Sequence, residues 1–196
     1  MFDFAPATRE ATRLLQGIRS EHLDGRTPCE KWPVVQVLNH LHGLSQAFTA
    51  GAEKRPLPFD GPPPEPDAGL PENWRAELPQ LLDGLAAAWT RPEAWEGMTQ
   101  VGGVDMPGQV CALVALDEVV VHSWDLAVAT GQTIAVDPAV AATLLEFWSA
   151  QDTDQDDLPL RSVIFGEVVQ VVDQATVFEQ VLALTGRDPQ WRAPAS

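Results

Sequence analysis

The sequence predicts a mainly α protein: an up-down-up-down four-helix bundle with a short α/β C-terminal extension. Three observations predict it. Four long stretches with helical apolar spacing precede Gly131. Proline- and glycine-rich connections separate them. After Gly131 there is room only for a helix, an acidic loop, a strand-like segment and a short helix. No internal repeat or second large domain is visible, so the chain divides into a bundle, 1-132, and an extension packed on it, 133-196.

The first helix is predicted from about Thr8 to Leu23, with Ala11, Leu14, Leu15 and Ile18 at helical spacing. His22 lies at its end, where a cation suits the helix dipole, and reads as a surface or capping residue. The turn-rich stretch Thr27 to Pro33 leads into a second helix, Val34 to Glu53. Its stripe is Val34, Val37, Leu38, Leu41, Leu44 and Phe48. His40 and His42 fall at opposite edges of that stripe, at roughly 100° per residue. Periodicity does not say which of them faces inward.

Seven prolines between Lys54 and Pro71 exclude a helix or central strand there. That segment reads as a lid, an ordered crossover or a surface connection. Glu72 to Trp89 returns to helix through Trp74, Leu78, Leu81, Leu82 and Leu85. Arg75 belongs to it, and nothing demands a role for it in a site. Thr90 to Pro107 carries Gly97, Gly102 and Gly103 and reads as a loop or short hairpin, with Asp105 the expected cap of the next helix. The fourth helix runs from Val110 to Thr130 and is closed by Gly131.

Asp137 is the expected N-cap of a helix over residues 138 to 150. Gln151 to Asp157 has the look of a calcium loop. It has Asp157 where such a loop needs its sixth-position Gly and Val163 where it needs its twelfth-position Glu, so it reads as a solvated acidic loop. Val163 to Val172 is strand-like in composition, and Gln174 to Thr185 reads as a last helix ended by Gly186. No regular structure is expected from Arg187 onward.

The chemistry concentrates on the fourth helix. Residues four apart share a helical face, so Glu118 and His122 point the same way, and Asp125 follows at three. Cys111, Ala115 and Ala129 border that face and are small. Val119, Val120 and Val121 do not suit a solvated surface, and a buried Glu is rare unless paired or ligating. A metal ion fits that pattern; an ion pair of Glu118 with His122 is the plainer alternative. A further ligand would come from a facing helix, and the second helix offers His40 or His42. One carboxylate and two imidazoles suit a divalent transition metal with an open position: zinc by default, with nickel and iron(II) as alternatives. Neither Cys29 nor Cys111 has an adjacent base, so both read as small buried hydrophobes.

Charge and composition remove other classes. Twenty-eight acids against twelve bases give a net charge of −16, which argues against nucleic acid and anionic lipid as partners. No apolar run spans a membrane, and Met1-Phe2-Asp3-Phe4 lacks the basic start of a signal peptide. With two cysteines far apart in sequence, a cytoplasmic protein without a disulfide framework is expected. Seven tryptophans on a modest bundle leave apolar surface to cover, which suggests a homodimer.

Cys29-Glu30-Lys31-Trp32-Pro33, Asn39-His40-Leu41, the run from Glu118 to Ala127, and Ala129-Thr130-Gly131-Gln132 together resemble the mycothiol-dependent maleylpyruvate isomerase N-terminal family. That family belongs to the DinB-like metal-binding four-helix bundles of actinobacteria. Phe165-Gly166 and Gly186 to Trp191 look like the tail of an uncharacterised subgroup. The resemblance implies metal ligation by His40, Glu118 and His122, choosing His40 over His42. It makes Asp125 a residue that orients a ligating imidazole. It also implies a metal that activates the sulfur of a small thiol, mycothiol, against an electrophilic substrate, in an isomerisation or transfer. The extension here is shorter than the isomerase's C-terminal domain, so the resemblance does not name a substrate. A non-catalytic metal-binding bundle (sensor, store or partner-binding protein) and a metal hydrolase are the competing functions.

Overall fold

The computed structural model describes residues 1–29, 32–56, 69–150 and 167–193. The first helix, α1, spans Ala5–Gly17. It begins earlier than periodicity predicts, because Pro6 suits a first helical turn and Asp3 Oδ1 accepts the Ala5 amide. It also ends earlier. Ile18 is extended, and the Gln132 side chain is packed so closely on Gly17 that a Cβ there would meet Gln132 Oε1. Gln132 Nε2 donates to the Leu14 carbonyl. The rest of the expected helix is a separate 3-10 turn, Ser20–His22, in which His22 Nδ1 accepts the Arg19 amide as a cap.

α2, Val34–Glu53, has the predicted bounds. α3, Trp74–Ala88, follows the next connection, and residues 57–68 of the proline-rich segment lie outside the described residues. Arg75 serves this packing: it donates to the Ile18 carbonyl and lies 4.3 Å over the Trp74 ring. A short α4, Pro92–Trp95, leads to a hairpin of β1, Met98–Val101, and β2, Val104–Pro107. Its turn is Gly102-Gly103, both at positive φ, as a tight hairpin requires. Asp105 is not a helix cap. It is in β2 and accepts from Gln100, and Pro107 directly precedes the helix instead. α5, Gly108–Ala129, is buried around nearly its whole circumference, as its predominantly apolar sequence requires. It ends as predicted: Gln132 N–H reaches the Ala127 carbonyl across Gly131, which is at φ 69°.

α1, α2, α3 and α5 form the four-helix bundle, with α1 and α2 each packed against both α3 and α5. The expected alternation of directions does not hold. α2 and α3 are parallel neighbours: Glu53 pairs with Arg91 at their C-terminal ends, and His42 with Glu77 nearer the other. α1 and α5 are parallel too, since Gln132 caps α1 from beyond the end of α5. Parallel neighbours need a connection that returns along the bundle. α2 is roughly 30 Å long, and the chain from Lys54 to Asn73 has ample reach for that return. Short loops force neighbours to alternate; this long one does not.

One end of the bundle is an aromatic plug. Phe4 stacks on Trp89, which meets Trp95 edge-on. The polar residues of α5 lie toward the other end. α6, Pro138–Ala150, starts at Asp137 as expected, with Asp137 Oδ1 accepting the Ala139 amide. It packs on α5 and on the last helix, α7, Val177–Leu184. α7 is opened by a capping box between Thr176 and Glu179. The acidic loop and the first part of the strand-like segment lie outside the described residues; residues 167–172 form no strand. Among the described residues no helix is long and apolar enough to cross a membrane.

Candidate metal centre

α5 turns Glu118, His122 and Asp125 onto one face at spacings of four and three. α2 packs antiparallel against that face and delivers His40. His40 Nε2 lies 3.3 Å and His122 Nε2 3.1 Å from the same oxygen, Glu118 Oε2. The two imidazoles meet edge to face, with centroids 5.0 Å apart. The sequence left His40 and His42 equivalent by spacing. The fold separates them: His42 turns to the other side of α2, against Glu77 and Gln46.

Among the described residues, one ligand atom each from His40, Glu118 and His122 come together within 4.8 Å of one another. Ligands about 2.0–2.1 Å from a tetrahedral zinc lie roughly 3.3 Å from each other. Two of the three separations are already at that value. A contact of Glu118 Oε2 with each Nε2 requires a hydrogen between them in the chain by itself. A divalent cation replaces both hydrogens and satisfies the same three atoms, so the residues fit a metal.

The electrostatics agree. Burial pushes the Glu118 carboxyl up, but its hydrogen bonds to His122 and His40 outweigh this and hold it well below the usual carboxylate range. Burial pushes His40 down, with Glu118 opposing. Burial also pushes His122 down, but Asp125 and Glu118, on its two ring nitrogens, raise it to about 9. Asp125 is fully buried, and its Oδ2 accepts from His122 Nδ1 at 2.9 Å. A proton held on Nδ1 leaves Nε2 with the lone pair a metal needs. His40 is the most exposed of the three at 24 %, against 5 % for His122, so the centre opens on the His40 side.

Three neighbours were not singled out from sequence. Trp32 covers the centre, with its ring 4.5 Å from His40 and 5.8 Å from His122. Its turn is tied by Thr27 Oγ1, which donates to the Trp32 carbonyl. Arg187, from the extension, donates to Asp125 Oδ2 at 3.2 Å. Asp117, beside Glu118, points to α6, where Trp148 Nε1 donates to it at 2.7 Å. Trp32 and Arg187 lie in the stretches that carry the family resemblance, which was the available signal. Asp117 had none.

Cys111 is fully buried on α5 and burial pushes its thiol up to about 12, so it is a small hydrophobe as expected. A disulfide reagent at pH 8 should leave Cys111 unmodified in the folded chain and modify it in denaturant. Labelling of the folded chain at this residue would show a reactive thiolate instead.

The profile of the family described as mycothiol maleylpyruvate isomerase N-terminal domain matches residues 4–127. Uncharacterized proteins from two strains of Mycobacterium tuberculosis are each 29% identical over 137 residues, covering 67% of this chain and 68% of theirs. A crystal structure of a histidine-to-alanine mutant of mycothiol-dependent maleylpyruvate isomerase superposes with a TM-score of 0.59 at 14% identity, covering 96% of this chain and 79% of that one. At that identity the likeness speaks for the fold alone.

Proposed function

Because this chain belongs to the mycothiol maleylpyruvate isomerase N-terminal domain family, we propose that it is a divalent-metal protein acting with a small thiol, as an isomerase or transferase on an electrophilic substrate. The observation that carries the reading is the spacing of His40 Nε2, Glu118 Oε2 and His122 Nε2. These three would hold the ion; zinc is the first choice for this donor set, and nickel and iron(II) are accepted by it. Bound there, the metal supplies a Lewis acid that lowers the pKa of a thiol.

The surrounding residues favour an anion in the open position. A divalent ion held by two neutral imidazoles and the Glu118 carboxylate, which its hydrogen bonds keep ionised, leaves one net positive charge, which a thiolate balances. Asp125 keeps the proton on His122 Nδ1. Trp32 packs against both imidazoles and limits water on that side. The chemistry such a centre would supply is a thiolate nucleophile, which would add reversibly to a carbon–carbon double bond conjugated to a carbonyl and leave again after rotation, with no atom gained or lost. Mycothiol is the thiol the family name suggests.

The test is turnover of a cis-enone acid or an alkylating electrophile by the zinc-loaded chain, with and without a low-molecular-weight thiol. Conversion only when metal and thiol are both present is expected. Metal-dependent hydrolysis of the electrophile without thiol would identify a hydrolase, and metal uptake without any conversion a non-catalytic bundle.

A further inference from the structure

The three ligands all come from the bundle, yet the extension reaches the same centre. We propose that Arg187 is a positioning residue for the metal: it fixes the Asp125 carboxylate and, through it, the His122 imidazole. This rests on the metal reading above and adds a residue to it.

The local chain explains how Arg187 arrives there. α7 ends in a paired closure, Arg187 N–H to the Leu182 carbonyl at 2.8 Å and Gly186 N–H to Ala183 at 3.1 Å. Gly186 takes φ 76°, which a side chain would resist. The turn directs Arg187 inward, and it is only 6% exposed. Its Nη1 donates to the Thr185 carbonyl at 2.8 Å, while Nη2 donates to Asp125 Oδ2. The guanidinium thus bridges the end of α7 and the middle of the metal face of α5. A planar fork does this in one rotamer; an ammonium does not span both acceptors.

The consequence falls on one atom. Asp125 Oδ2 receives both His122 Nδ1 and Arg187 Nη2. Asp125 is wholly buried, and Arg187 gives Oδ2 a second donor beside His122, which holds the carboxylate in one orientation. Held so, Oδ2 keeps His122 Nδ1 engaged and leaves the Nε2 side of the ring turned toward Glu118. Partners at this remove from a metal typically change its affinity 10–100-fold.

The experiment is zinc affinity by chelator competition in the full chain, for the parent, R187A, R187K, D125N and the two double variants, with circular dichroism of each metal-free form. R187A should weaken zinc binding by about 10–100-fold, and R187K should recover part of the loss. Because Arg187 acts through Asp125, R187A should change affinity less than about twofold in the D125N background. If R187A does not fold, R187K is read in its place, with a smaller loss that again vanishes beside D125N. Unchanged affinity in the arginine variants, or an equal loss in both backgrounds, overturns the proposal while leaving the metal centre intact. A parent chain that binds no zinc overturns both.

Discussion

Zinc should raise the melting temperature of this protein by about 8–16 °C when free zinc exceeds its dissociation constant a thousandfold, since that excess stabilises by about 4 kcal/mol and each kcal/mol moves a chain of this size by about 2–4 °C. The shift should all but vanish in Glu118→Gln and in His122→Ala. Glu118 is the oxygen shared by both imidazoles, and its removal leaves two nitrogens on different helices with no common partner. His42→Ala should keep the full shift, because His42 is engaged with Glu77 on the other side of α2. Retention in His40→Ala and loss in His42→Ala would reverse the assignment. The effect also carries a pH sign. In the chain alone His122 holds its proton up to about 9, and a ligating nitrogen must be deprotonated. Zinc uptake at pH 7 therefore releases a proton, and affinity should rise by about tenfold per pH unit between 7 and 9. Calorimetry in two buffers of different ionisation enthalpy measures that proton.

Trp148→Ala should cost about 3–5 kcal/mol, the usual range for deleting a buried tryptophan. Trp148 is fully buried between α5 and α6, and it is also the donor to Asp117, a wholly buried carboxyl. Trp148→Phe keeps most of the packing and removes the N–H, so it should cost only the unpaired polar group, about 1–3 kcal/mol. Burial pushes Asp117 up to about 7 despite the Trp148 bond. A carboxyl raised in the fold stabilises it below its ordinary value and loses that contribution as pH rises through the folded value. The Asp117 contribution to stability of the metal-free chain should therefore fall between about pH 4 and 7, and Asp117→Asn should remove it. Urea midpoints across that range read both effects; a tryptophan variant as stable as the parent would show that α6 does not depend on this contact.

The bounds of α2 and the end of α5 were legible because apolar spacing and a terminal glycine act locally. Glu118 and His122 were legible for the same reason: a helix converts a spacing of four into a shared face. His40 was not. Both histidines of α2 flank the stripe, and only the resemblance chose between them; in the structure the choice is made by which neighbour each meets, Glu118 or Glu77. The helix directions were misread because periodicity says nothing of how a long connection returns. Arg187 lies 62 residues from Asp125 and in a segment without periodicity, so its contact exists only in three dimensions. Asp117 was not singled out on the fourth helix, and its partner, Trp148, lies within the predicted helix over residues 138 to 150 with no pattern that ties the two together.

The most direct measurement of the metal centre is elemental analysis of the chain purified without chelator, beside folded His40→Ala and His122→Ala. About one divalent ion per parent chain is expected, the stoichiometry of a single three-ligand site, with little in either variant. A parent that stays empty after reloading with zinc, nickel or iron(II), or variants that keep the full complement, would contradict a metal held by His40, Glu118 and His122.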